Sequence, residues 1–132
     1  MKKNDACQKE IGSFGENAAE RFLKRRFYRI LARNYIAGKY EVDLIAESLR
    51  HVVFVEVKTR TQSPCEVTRF GTPSFAVTHQ KRAFTVAAAR KYLSFRKLQK
   101  QVRFDVIEIY LSDEETPKIL KIVHMKDAYR AY

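Results

Sequence analysis

This sequence predicts an α/β fold, a central mixed β-sheet flanked by helices, from three observations. Two strand-like runs, 40–47 and 51–59, lie back to back with a short gap between them. An amphipathic stretch at helical period precedes them. A second helical stretch separates them from two more strand-like runs, giving the order α-β-β-β-α-β-β. The chain has 132 residues, which suits one domain around one core, so 1–132 is read as a single unit.

The opening residues Met1-Lys2-Lys3-Asn4-Asp5 are polar and lead into no apolar signal core, so 1–11 is expected to be a flexible N-terminus. Residues 13–26 read as the first helix. Ala18, Ala19, Phe22 and Leu23 form its apolar stripe, while Glu20, Arg21, Lys24 and Arg25 face water. Ser13-Phe14-Gly15-Glu16 matches a capping box, with Ser13 as the N-cap and Glu16 at the third helical position. An extended piece follows over 28–35.

The spacing of the next two runs allows a register argument. If they form an antiparallel hairpin turning near Leu49-Arg50, the numbers of opposed residues sum to a constant. Asp43 then falls opposite Glu56, Glu41 opposite Lys58, Val42 opposite Val57, Leu44 opposite Val55 and Ala46 opposite Val53. One face is apolar, and the other collects Glu41, Asp43, Glu56 and Lys58, with opposed Cβ atoms about 5 Å apart. A slip by one residue would scramble both faces.

Residues 60–74, with Pro64, Gly71 and Pro73, read as a long, mobile loop. A helix over 78–98 follows, with Phe84, Ala88, Tyr92 and Phe95 at helical spacing. Strands over 102–111 and 118–124 close the chain around the turn Asp113-Glu114-Glu115-Thr116-Pro117.

There are 26 Lys+Arg against 15 Asp+Glu, a formal charge of +11. That surplus points to a polyanion, most often nucleic acid, and the basic residues are spread through folded segments rather than a tail. No run is apolar enough to span a bilayer, so no membrane partner is expected. Cys7 and Cys65 have no metal-ligand spacing and read as free thiols in a reducing cytoplasm. His51, His79 and His124 share no metal-binding spacing and read as incidental. Tyr35, Tyr40 and Phe70 are read as core aromatics rather than base-stacking ones. Arg60, Arg69, Arg82, Arg90, Arg96 and Lys97 are candidate phosphate contacts, informative only as a sum.

Burying a charge is costly unless it is paired or bound to a metal. Two carboxylates opposed on a sheet repel each other, and a divalent cation removes that repulsion. Mg²⁺, with Mn²⁺ as the alternative, is often held by one or two carboxylates beside substrate phosphate. Asp43 and Glu56 fit that role, with the Val57 backbone carbonyl as a third oxygen. Lys58 lies on the same strand face as Glu56 and could orient or help deprotonate a water and neutralise charge at a scissile phosphate. These are the parts of a metal-dependent phosphodiesterase. The competing reading is a structural ion network in which Glu41 pairs with Lys58.

Asp43 followed by Glu56-Val57-Lys58 resembles the D…(D/E)-x-K motif of restriction-endonuclease-like nucleases. The wider set is similar to the small bacterial YraN family, akin to archaeal Holliday-junction resolvases. It comprises Gly15-Glu16-x-x-Ala19, Arg33-Asn34-Tyr35, Glu41-Val42-Asp43-Leu44-Ile45-Ala46, Val53 to Arg60, Phe70-Gly71 and Arg103-Phe104-Asp105-Val106. The resemblance implies a restriction-endonuclease-like three-layer sandwich. It implies Asp43 and Glu56 as metal ligands, Lys58 as the motif lysine and Glu16 as a helix-borne acid assisting the metal, a role that competes with its capping one. Gln80 or Lys81 would match a fourth, helix-borne position, and Lys81 joins Arg60, Arg69 and Arg82 as a nucleic-acid contact. The family usually has Gly where this chain has Tyr40, and Gly38 is read as its displaced substitute. Resolvase-like proteins pair as dimers, so a homodimer is compatible.

Two readings follow. One is a cytoplasmic, Mg²⁺-dependent endonuclease-like protein acting on DNA, favoured over RNA, with branched DNA as one candidate substrate. The other is a non-catalytic nucleic-acid-binding module on the same fold.

Overall fold

The computed structural model describes residues 2–61, 79–97 and 99–131, with side chains from residue 10 onward. The elements are α1 (Lys2–Arg25), β1 (Arg29–Ala37), β2 (Tyr40–Glu47), β3 (His51–Arg60), α2 (His79–Ser94), β4 (Gln101–Leu111) and β5 (Ile119–Tyr129). Their order is the expected α-β-β-β-α-β-β.

The five strands lie in sequence order in one sheet. β1 and β2, β2 and β3, and β4 and β5 pair antiparallel, whereas β3 and β4 pair parallel. A parallel pair needs a crossover, and α2 lies on that connection. β3 is central, and Val52, Val53, Phe54 and Val55 are all fully buried, as an unbroken apolar run between two covered faces requires.

Each helix covers one face. Ala18, Ala19 and Leu23 of α1 pack on Leu44, Ala46, Val53, Val55, Ile107 and Ile109. Ala88, Ala89 and Tyr92 of α2 pack on Val42, Ile45, Val52, Phe54, Phe104 and Val106. The result is a three-layer sandwich around a mixed sheet. Tyr35 meets Tyr92 edge-on and Tyr40 lies 5.0 Å from Phe84 between ring centroids, so both tyrosines belong to the core.

α1 starts at Lys2 rather than Ser13, and the terminus expected to be flexible over 1–11 is, from residue 2, continuous with it. Ser13 is therefore interior, and the capping box is not a helix start. The helix-forming residues of 2–11 carry the helix through Gly12, whose cost is only about 1 kcal/mol. Gly15 has a local reason. A Cβ there would overlap the Thr59 hydroxyl and stand 3.2 Å from Thr59 Cβ, so glycine lets α1 lie close on β3. Gly38 adopts a φ of 64° in the two-residue turn from β1 to β2, where a side chain would be strained.

α2 stops at Ser94, four residues before the expected end. Ser94 Oγ donates to the Lys91 carbonyl at 2.7 Å, and the Arg96 guanidinium donates to the Tyr92 carbonyl at 3.0 Å. These bonds satisfy carbonyls that a helix end leaves open. Phe95 thus leaves the stripe and is 71% exposed. β5 runs five residues beyond the expected 124, through Lys126 and the left-handed Asp127, whose polarity hides the alternation. Of the loop expected over 60–74, Arg60 ends β3, and residues 62–74 lie outside the described residues. So do Arg69, Phe70, Gly71 and Cys65, and the side chain of Cys7.

Candidate metal and nucleic-acid site

The expected hairpin register holds for four pairs: Leu44 with Val55, Ile45 with Phe54, Ala46 with Val53 and Glu47 with Val52. It ends at Asp43. The pairs Asp43 with Glu56 and Glu41 with Lys58 do not form a ladder. Instead the Val57 N–H donates to Asp43 Oδ2 at 2.8 Å, so a side chain takes the place of a backbone carbonyl. Beyond this point β2 stays paired to β1 as far as Tyr40, and β3 stays paired to β4 as far as Arg60. The two middle strands therefore part. Face alternation shifts at the same place: Leu44 packs toward α1, whereas Val42 packs toward α2 beside Ile45.

The split gathers charge from four elements. Burial pushes the Asp43 carboxyl up to about 6. The Val57 N–H opposes this, the charges of Glu16 on α1 and Glu56 on β3 add to it, and Lys81 on α2 opposes it. Glu16 is itself raised, first by burial, against a hydrogen bond with Asn34, with Glu41 adding to the rise and Arg33 opposing it. β1 fastens this part of α1, because Arg33 reaches Asn17 Oδ1 at 2.5 Å and Glu20 at 2.9 Å.

Glu56 is 4% exposed. Lys58 Nζ stands 2.8 Å from its Oε2, while its Oε1 is buried without a hydrogen-bond partner. The structural network expected between Glu41 and Lys58 is thus replaced by a Glu56–Lys58 pair on one strand, and Glu41 is exposed. Arg60 is turned toward Glu108 of β4, 3.7 Å away. Lys81 is exposed on the first turn of α2. Arg82 stacks over Tyr129 at 5.1 Å and, with His79, Arg90 and Arg130, lines a groove of about 640 Å³ between α2 and the end of β5. Among the described residues, no three His, Cys, Asp or Glu side chains form a ready-made metal cluster.

Two features escaped the sequence reading. Glu108 is buried, and Tyr110 donates to its Oε1 at 2.9 Å. Three residues earlier on β4, level with Val55, Asp105 is fully buried and accepts from Arg103 Nε and Nη2, both at 2.8 Å, from His124 Nε2 at 2.6 Å and from the Asp127 N–H at 3.0 Å. Arg103 also donates to the Tyr28 hydroxyl at 2.7 Å. His124, expected to be incidental, is one wall of this network. The signal was present in both cases: a charge inside a buried strand run, the same criterion that singles out Asp43 and Glu56.

Fold and geometry together define a small three-layer α/β protein whose middle strands part beside the half-buried Asp43 and the buried Glu56. Comparison with known proteins gives it a family: residues 15–109 match the model of the uncharacterised protein family UPF0102, and the chain belongs to that family, also called the YraN family. It is 42% identical over 128 residues to a UPF0102 protein of Geotalea daltonii, covering 96% of this chain and 93% of the relative. It is 39% identical over 123 residues to one of Caldanaerobacter subterraneus subsp. tengcongensis, covering 92% and 96%. A relative from Clostridium beijerinckii is 37% identical over 131 residues, 98% of each chain.

Proposed function

We propose that this protein is a metal-dependent phosphodiesterase acting on DNA in the cytoplasm, with Mg²⁺, or Mn²⁺ in its place, held by Asp43, Glu56 and the Val57 carbonyl. The observation that carries this reading is the parting of β2 and β3 at Asp43, with the charges of Glu16, Glu56 and Lys81 acting on that one carboxyl. Glu56 fits the ion, because its buried Oε1 lacks a partner that a hard cation would provide. One or two carboxylates suit Mg²⁺, which keeps several waters and leans on substrate phosphate. Such an ion would supply a more acidic water and neutralise charge growing on phosphorus. Lys58, held by Glu56, donates to a phosphate oxygen and balances its charge. Glu16 adds a carboxylate from the α1 side, and Lys81 and Arg82 add cations from α2. Arg60 extends the cationic strip along β3. Pairing as a homodimer would let two such sites address two strands.

The second reading, a nucleic-acid-binding module without catalysis, draws support from the +11 charge. One set of measurements separates the two. Calorimetric titration with Mg²⁺ should give heat with the wild type and none with Asp43→Asn. Cleavage of branched or linear DNA should need the metal and disappear in Asp43→Asn and Glu56→Gln, while DNA binding survives. A wild type that cuts neither DNA nor RNA with Mg²⁺ or Mn²⁺, yet binds with log affinity falling linearly against log salt, selects the second reading.

A further inference from the structure

The end of the sheet away from the site carries an apolar, cationic rim that the site does not use. α1 closes with the Phe27 N–H on the Lys24 carbonyl and the Tyr28 N–H on the Leu23 carbonyl, both at 3.0 Å. That motif places residue 27 in the left-handed region, where glycine is usual. Here it is Phe27, at a φ of 69°, with its side chain 92% exposed. The fold thus accepts backbone strain and gains no packing from the ring.

Arg29 pairs with Glu47, so Phe27 and Leu49, each two positions outside this pair, lie at the same end of the sheet. Leu49 is 88% exposed at the tip of the turn between β2 and β3. That turn is braced by Lys100, which donates to the Ser48 carbonyl at 2.9 Å, and by the Gln101 N–H, which donates to the Arg50 carbonyl at 3.0 Å. Arg25, Arg26 and Arg50, next to the two tips in sequence, are exposed, with the Arg26 guanidinium over the Phe22 ring at 4.3 Å. The acids at this end are already paired, Glu47 with Arg29 and Lys100 and Asp127 with Arg130.

We infer that this rim is a second nucleic-acid contact, in which Phe27 and Leu49 stack on unpaired bases, as at a branch point or in a single strand, while the arginines meet the flanking phosphates. It rests on the nucleic-acid reading of the cationic surface and not on cleavage. Apolar wedges ringed by arginine are how proteins hold opened or splayed bases, because every base offers a stacking face. Glu56 is five residues along β3 from His51 at this end, roughly 17 Å at about 3.3 Å per residue, so one nucleic acid can touch both places.

The test is equilibrium binding of the full-length protein, in EDTA, to a four-way DNA junction, a single strand and a duplex closed by hairpins at both ends. Phe27→Gly suits the left-handed backbone and removes only the ring, so it should raise the melting temperature. It should weaken junction and single-strand binding about tenfold, leave the closed duplex within about twofold and leave the salt slope unchanged. Phe27→Trp should restore the affinity, and Leu49→Ser should act like Phe27→Gly. Unchanged junction affinity in Phe27→Gly, or an equal loss on the closed duplex, overturns the inference while the nucleic-acid reading stands. So does light scattering in which Phe27→Gly turns a dimer into a monomer, or loss of wild-type sedimentation with anionic vesicles in that variant, since the rim would then serve a second copy or a lipid surface. A wild type that binds no DNA at all removes the inference and the nucleic-acid reading together.

Discussion

Asp43 and Asp105 are the same residue type, each set in a β-strand of the same sheet, and their surroundings push them in opposite directions. Asp105 is fully buried and would be raised by that burial, but donors from His124, Arg103 and the Asp127 backbone outweigh it and hold the carboxyl below its ordinary range. Asp43 has one backbone donor, two neighbouring carboxylates and Lys81, and is raised to about 6. A carboxylate with every lone pair answered is part of the framework. One that is half-buried, underserved and pressed by like charges stores unfavourable energy that a cation would relieve, which is the arrangement expected of a functional site.

The comparison breaks most visibly if Asp105 is removed. Asp105→Ala leaves Arg103, whose guanidinium the carboxylate holds above its ordinary range, half-buried and without its main partner. Removing one partner of a buried pair costs about 3–5 kcal/mol, and chemical denaturation should show a loss of that size at neutral pH. The lowered pKa also fixes the sign with acidity. Asp105 stabilises the fold above the ordinary aspartate range, and that contribution is lost as pH falls from there through the lowered folded-state pKa.

Asp43 should behave in reverse. Its folded-state pKa lies above the unfolded value of 3.8, so the unfolded chain releases the proton first as pH rises. The fold is therefore penalised progressively from about pH 4 to pH 6, and the penalty is fully present above that. Asp43→Asn, assayed without metal, removes the penalty and can keep an acceptor for the Val57 N–H. We expect it to stabilise the protein by on the order of 2 kcal/mol at pH 7.5 and by almost nothing at pH 4. Thermal unfolding at the two pH values checks this, and destabilisation at pH 7.5 would place Asp43 with Asp105 as framework.

Much of the fold was legible because its rules are periodic. The run Val52 to Val55 marks a central strand by composition, and the constant-sum register fixes four of its pairings with β2. The site was half legible. Charges inside apolar runs single out Asp43, Glu56 and Lys58 as candidates. The parting of the strands could not be read, because an aspartate oxygen accepting the Val57 N–H leaves no periodic trace. Asp105 and Glu108 meet the same criterion, but the hairpin register gives them no facing charge; the partners of Asp105 lie on β4 and β5, and those of Glu108 on β4 and β3. Phe27 had no signal, since Gly, Asn and Asp announce a left-handed residue, as at Gly38, Asn34 and Asp127, and phenylalanine does not. The start of α1 was misplaced because a capping box is a local motif that can also fall inside a longer helix.

α1 joins the two regions and offers the smallest and sharpest probe of their difference. Just past its end, Tyr28 is tied to Arg103 in the satisfied network, while Gly15 lets its middle lie against Thr59 and brings Glu16 toward Asp43. Gly15→Ala inserts a methyl where Thr59 Cβ would stand 3.2 Å away. Overpacking of this kind costs about 1–3 kcal/mol, and the better helix propensity of alanine offsets about 1 kcal/mol, so the net loss should be about 1 kcal/mol. With Tyr28 anchored, the helix should pivot away at the Glu16 end. Asp43 then loses a like-charged neighbour and its pKa falls. The decline in metal-free stability between pH 4 and pH 6 should become shallower in Gly15→Ala, while the acid-side loss due to Asp105 stays the same. An unaltered slope between pH 4 and pH 6 would mean that Glu16 does not press on Asp43, and that the site is built from the sheet and α2 alone.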